Sequence, residues 1–108
     1  MRLFFATILT LVFVTTGFSQ PDPDSLRQVM NSNRPYDQQI NAAIKLVESY
    51  QLKNFDSTII EGDKALRLAR KNTDSIAVAQ LKRHIGVANY FSGKYDVAAK
   101  YLQEAIAI

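Results

Sequence analysis

The chain has 108 residues, with 13 basic against 10 acidic side chains, one histidine and no cysteine. That near balance of charge predicts neither nucleic-acid binding nor adhesion to an anionic membrane. The lack of cysteine excludes disulfides, thiolate metal sites and a lipidated cysteine, so the fold must be held by apolar packing.

At the N-terminus, Arg2 precedes an apolar run over residues 3–14 that only Thr7 and Thr10 interrupt. The run is shorter than the roughly 20 apolar residues that span a bilayer. It gives way to Thr15, Thr16 and the small-residue site Gly17-Phe18-Ser19. This is the pattern of a secretory signal peptide over residues 1–19, cleaved before Gln20. It implies an exported protein of the periplasm or cell envelope with no membrane span in the mature segment. An uncleaved N-terminal anchor is the competing reading. Loss of Arg2 leaves a formal charge of +2.

Residues 20–35 read as a linker carrying a short helix. Pro21 and Pro23 hold the chain extended, Asp24 and Ser25 are expected to cap a helix running to Met30, and Asn31-Ser32-Asn33-Arg34-Pro35 breaks it. In residues 36–52 the spacing of Ile40, Ala43, Ile44 and Val47 predicts a helix with one apolar stripe. After Lys53 and Asn54, a second stripe of Phe55, Ile59, Ala65, Leu66 and Ala69 predicts another helix. It ends in Arg70-Lys71-Asn72, where cations suit the negative end of the helix dipole. Thr73-Asp74-Ser75 supplies the next N-cap. Ile76, Leu81, Ile85, Ala88 and Phe91 then mark a third long helix, which Ser92 and Gly93 close. The last helix starts near Lys94 and carries Tyr95, Ala98, Tyr101, Leu102, Ala105 and Ile106. No segment alternates as a strand, so the fold class is all-α, a stack of helical hairpins.

The hairpins repeat. A shift of 40 residues pairs Tyr50 with Tyr90, Phe55 with Tyr95, Asp56 with Asp96, Ala65 with Ala105 and Leu66 with Ile106. The first helices match at a shift of 41, pairing Ile40 with Leu81, Ile44 with Ile85 and Val47 with Ala88. The change of shift implies a turn that differs by one residue. Hairpin 1 then covers residues 36–72 and hairpin 2 residues 73–108.

Residues 81–108 resemble a tetratricopeptide (TPR) repeat, with Gly86 at the family's small position, Gly93-Lys94-Tyr95-Asp96 at its turn, and Ala98, Leu102, Ala105 and Ile106 completing the pattern. Asn89 departs from it at a usually aromatic position. Hairpin 1 diverges further, with Leu46, Lys53 and Thr58 where small residues are usual. The resemblance implies a TPR-like α-solenoid of the long-repeat type found in the exported sensory regions of bacterial signalling proteins. It also implies that the first helix of each hairpin lines a concave groove for a protein or peptide ligand. On that face Gln80, Arg83, His84 and Val87 are the expected binding residues.

Chemistry is not expected from these residues. His84 has neither cysteine nor carboxylate at helical spacing, so it reads as an exposed or groove-facing side chain and not a metal ligand. Glu61 and Asp63 are two residues apart on a helix and point to different faces, a poor acid–base pair. Arg67, Arg70, Lys71, Lys82 and Arg83 read as a solvated basic face. Tyr50, Phe55, Tyr90, Phe91, Tyr95 and Tyr101 read as packing between repeats. No catalytic residue, metal or cofactor is expected.

The apolar pattern still runs at Glu104-Ala105-Ile106-Ala107-Ile108, so these residues read as the N-terminal fragment of a longer array, with self-association through an uncapped last helix. The functional expectation is the sensory or docking region of a larger envelope signalling protein, a histidine kinase or helix-turn-helix regulator. A freestanding periplasmic scaffold or assembly factor is the alternative. Exported material should lack residues 1–19 by mass spectrometry, and retention of Met1 would overturn the cleavage assignment.

Overall fold

Asp22 decides where the first helix begins. Its Oδ1 accepts a hydrogen bond from the Ser25 amide at 2.8 Å, and Pro23 occupies the first turn, where a missing N–H is no loss. The computed structural model describes residues 22–107, so the expected signal peptide at residues 1–19 and Ile108 lie outside the described residues. Helix α1 is Pro23–Met30. It therefore starts ahead of the expected Asp24-Ser25 cap, and Asp24 instead pairs with Arg27 one turn on, at 2.9 Å.

Four longer helices follow: α2 (Tyr36–Tyr50), α3 (Phe55–Lys71), α4 (Ser75–Phe91) and α5 (Tyr95–Ala107). Asn54 caps α3 by accepting from the Ser57 amide, and Asp74 caps α4 by accepting from the Ala77 amide. Arg70 and Lys71 lie in the last turn of α3 as expected. The turns α3–α4 and α4–α5 are built alike. Thr73 and Gly93 donate to the carbonyls of Arg70 and Tyr90, while Asp74 and Lys94 reach back to Ala69 and Asn89. That closure requires a left-handed residue, and Thr73 (φ 50°) and Gly93 (φ 83°) adopt it.

Helices adjacent in sequence pack against one another, and α2 also touches α4. The result is two stacked hairpins, α2–α3 and α4–α5, with α1 laid against α2. The turn over residues 51–54 is one residue longer than that over 92–94, which accounts for the change of repeat shift from 41 to 40.

The core runs through Leu46, Val47, Leu66, Leu81 and Ile85. Two glycines set how closely its helices approach. A Cβ on Gly62 of α3 would stand 2.8 Å from Ile85 Cγ1 of α4, and one on Gly86 of α4 would stand 2.9 Å from Leu102 Cγ of α5. The small position expected at Gly86 is therefore a real close approach. Ala98 is buried, while Ala105 is only partly so. Ile76 leaves the stripe expected of it and is 74% exposed. Five residues before Leu81, it lies roughly 140° round the helix from the core-facing side.

Polar contacts tie the helix ends. The Tyr36 hydroxyl donates to Asp74 Oδ2 at 2.7 Å, joining the start of α2 to the cap of α4. That bond, with the Ala77 amide, holds the Asp74 carboxyl below its ordinary range, while burial and then Asp74 push the Tyr36 phenol above its own. Arg27 of α1 donates to the Tyr50 hydroxyl at 2.8 Å and meets Glu61 of α3 at 3.4 Å.

The two similar turns make opposite predictions. Gly93 has nothing within 4 Å of an added Cβ, so Gly93→Ala should cost only its backbone strain, about 1 kcal/mol. Thr73 already bears that strain with a branched side chain, so Thr73→Gly should raise stability by about 0.5–1 kcal/mol. Gly86→Ala should lower it by about 1–2 kcal/mol despite alanine's better helix propensity, because Leu102 must move. Thermal unfolding of the three variants checks the signs.

Candidate functional site

The structure divides the four expected groove residues. Gln80 and Arg83 are exposed on α4, and with Ala79 they line an open depression of about 480 Å³ whose other wall is Leu102, Ala105 and Ile106 of α5. Val87 is half-buried on the same helix. His84 is only 6% exposed, not an open groove residue: its Nε2 lies 3.9 Å from Glu48 Oε1, in the seam with α2. One helix read alone cannot show that a second helix covers that side.

Burial is the main influence on His84. Its Nδ1 is buried and has no hydrogen-bond partner. Desolvation first, then the neighbouring Arg83, hold the imidazole below its ordinary pKa, and Glu48 opposes them. Glu48 fails to prevail because its carboxylate is more than half exposed and beyond hydrogen-bond distance.

The aromatic residues also depart from expectation. Tyr50, Phe55 and Tyr101 are half-buried, but Tyr90, Phe91 and Tyr95 are more than half exposed. Phe55 stacks on Phe91 with ring centres 6.0 Å apart, Phe91 meets Tyr90 edge-on at 5.4 Å, and Tyr90 meets Tyr95 at 5.3 Å. Only the first of these contacts joins the two hairpins. The others extend the cluster across the α4–α5 turn into solvent, because both helix ends there are short of a covering neighbour.

A stripe on α5 completes this surface. Tyr95, Ala99, Leu102 and Ile106 share one side of the helix, with Tyr95 62% and Ile106 86% exposed. Leu102 is half-buried against Gly86. As a stripe these residues escape a reading of the helix by itself, since each also fits a broad core face. The 40-residue shift was the available signal, because it maps them onto Phe55, Ile59, Gly62 and Leu66.

The charged groups sort differently. Glu61 is buried beside Arg27 and Lys64, whereas Asp63 is exposed and pairs with Arg67, so the two carboxylates do face apart. Of the basic group, Arg67, Arg70, Lys71 and Arg83 are exposed, and Lys82 reaches Glu104 of α5 at 3.1 Å. Asn89 is buried and donates to the Ile85 carbonyl, which satisfies its side-chain amide within the helix. Among the described residues no three potential ligands gather to hold a metal, and no helix is long and apolar enough to cross a membrane.

The seam predicts a pH dependence. Because the folded protein holds His84 below its unfolded value of 6.5, the unfolded chain binds the proton more readily. Stability from this residue is therefore complete above pH 6.5 and declines as pH falls from there toward the folded value. The melting temperature should drop between pH 7.5 and 5.5, two values about one unit either side of an ordinary histidine pKa. His84→Leu should flatten that drop and, by removing an unpaired buried nitrogen, stabilise the fold by about 1 kcal/mol. An unchanged pH profile in the variant would show that the drop has another source.

The surface joining Gln80 and Arg83 to the α5 stripe and the exposed aromatic cluster is thus apolar, with polar groups at its edge. No family model, curated protein or solved structure matches the chain.

Proposed function

We propose that this chain is a protein-interaction module of the TPR type, whose two hairpins present the α4–α5 edge to a protein or peptide partner. One observation carries the reading: Gln80 and Arg83 border an open depression whose far wall is apolar and uncovered. Apolar surface rimmed by polar side chains is a common feature of protein-binding sites. Val87 adjoins this face, and His84 lies behind it in the α2 seam. The TPR assignment is supported by the hairpin repeat, by the α2–α4 contact between first helices and by the close approach at Gly86.

The biological setting is part of the proposal, with export suggested by the signal-like N-terminus and the rest by the TPR resemblance: an exported docking or sensory region of a bacterial envelope signalling protein, a histidine kinase or helix-turn-helix regulator. A freestanding periplasmic scaffold would use the same face. In either case the module binds and does no chemistry of its own.

Photo-crosslinking residues placed at Gln80 and at Arg83 in the producing cell should each give a discrete protein adduct. The same probe at Arg67, exposed on α3, should give none. Equal labelling from Arg67 would reject the α4–α5 edge as the binding face. Adducts that include a membrane-bound kinase or regulator would support the signalling setting.

A further inference from the structure

The first helices of the two hairpins meet at a seam that encloses a polar group without satisfying it. The contact of α2 with α4 is the least extensive between helices that touch. His84 is buried there, its Nε2 3.9 Å from Glu48 Oε1 and its Nδ1 without a hydrogen-bond partner. A neutral imidazole fits this setting, since one ring nitrogen carries no hydrogen and can be the unpartnered one. The protonated ring is a donor at both nitrogens. Its Nδ1–H would point into packed side chains with no acceptor, and its Nε2–H would stand beyond hydrogen-bond distance of Glu48.

The charges around the ring do not remedy this. Arg83 on the same helix acts against a second cation, and Glu48 of α2 favours it from a mostly exposed carboxylate. The carboxylates of α3 and α5 that pair do so elsewhere: Asp63 with Arg67, Glu61 with Arg27 and Lys64, and Glu104 with Lys82. Other contacts are fixed independently of the ring. The Tyr36–Asp74 bond ties the start of α2 to the start of α4, while Gly62 against Ile85 and Phe55 on Phe91 join α3 to α4. Glu48 lies near the opposite end of α2 from Tyr36. The least secured part of the seam is therefore the part that holds His84.

From this geometry we infer that the α2–α4 seam is a proton-operated hinge: when His84 takes a proton, the second half of α2 parts from α4 far enough for water to reach the ring, while the Tyr36–Asp74 bond and the α3–α4 seam hold. Opening of this kind needs less than global unfolding, because it gives up only the slightest of the helix contacts. It alters the angle between the two hairpins and does not depend on which face binds a partner. A histidine suits the task because its charge changes under mildly acidic conditions.

The test is a pair of dipolar distance measurements between spin labels on the purified protein at about pH 7.5 and about pH 5, either side of an ordinary histidine pKa. Labels at Lys45 and Gln80, both exposed, span the seam, and labels at Gln38 and Ser75, also exposed, span the tied end. At acid pH the first pair should gain a longer distance, the second should keep its own, and helical circular dichroism should be retained. His84→Phe and His84→Gln, neither of which takes up the proton, should hold the short distance at both pH values. Glu48→Gln should stay closed at about pH 7.5 and enlarge the open fraction at about pH 5, since it removes the charge that favours the proton in the closed seam. An unchanged first distance, or a change that persists in both His84 variants, would overturn the inference. Lengthening of both distances with loss of helix would show global unfolding and overturn it as well. A Glu48→Gln protein already open at about pH 7.5 would assign the hinge to the carboxylate and overturn the role of His84.

Discussion

The contact between Gly62 and Ile85 is what makes two hairpins one body. A side chain at Gly62 would meet Ile85 at 2.8 Å, and Val47 of α2 lies 4.0 Å from the same point, so three helices converge where one residue has no side chain. Helices separated by larger residues would forfeit dispersion contacts along the whole seam, because even a small radial gap loses a good part of each. The stack of α4 on α3, the burial of Leu66 and Leu81, and the meeting of α2 with α4 all depend on that approach. Gly86 repeats the device within the second hairpin, with Leu102 as the inserted side chain.

Around this seam the polar groups mainly control geometry. Asp74 caps α4 and accepts from Tyr36 at once, so the start of α4 is held relative to the start of α2. Arg27 similarly holds α1 to Tyr50 and Glu61. Glu61 keeps one oxygen without a partner, and His84 one nitrogen, and both lie where helices meet. Such groups limit stability, since each buried polar atom left unpaired costs about 1–3 kcal/mol. They sit at seams that apolar side chains could fill more favourably.

The same packing logic explains where apolar surface remains open. Each first helix is flanked on both sides: α4 has α2, α3 and α5 as neighbours. Helix α5 touches only α4, and Ala98 is its one fully buried residue among those described. An apolar stripe that α3 conceals is therefore open on α5. On α3 the corresponding side of the hairpin is the one that receives α4.

Much of this was legible in the chain itself. The three- and four-residue spacing of aliphatic side chains gave all four long helices, since local periodicity reflects which side of a helix meets the core. Asn54, Asp74 and Gly93 marked their ends because capping and left-handed turns are set by a few neighbouring atoms. The 40 and 41 shifts even located the one-residue difference between turns. Tertiary structure alone decided which sides of the helices are covered. His84 is enclosed because α2 lies over it, whereas Tyr90 and Tyr95 are exposed because no helix does, and Phe91 is covered by Phe55 on one face alone. Both outcomes depend on partners distant in sequence, and hydrophobicity records only a side chain's preference for burial. Whether that preference is met depends on the geometry of the neighbouring helices, which spacing along one helix does not encode.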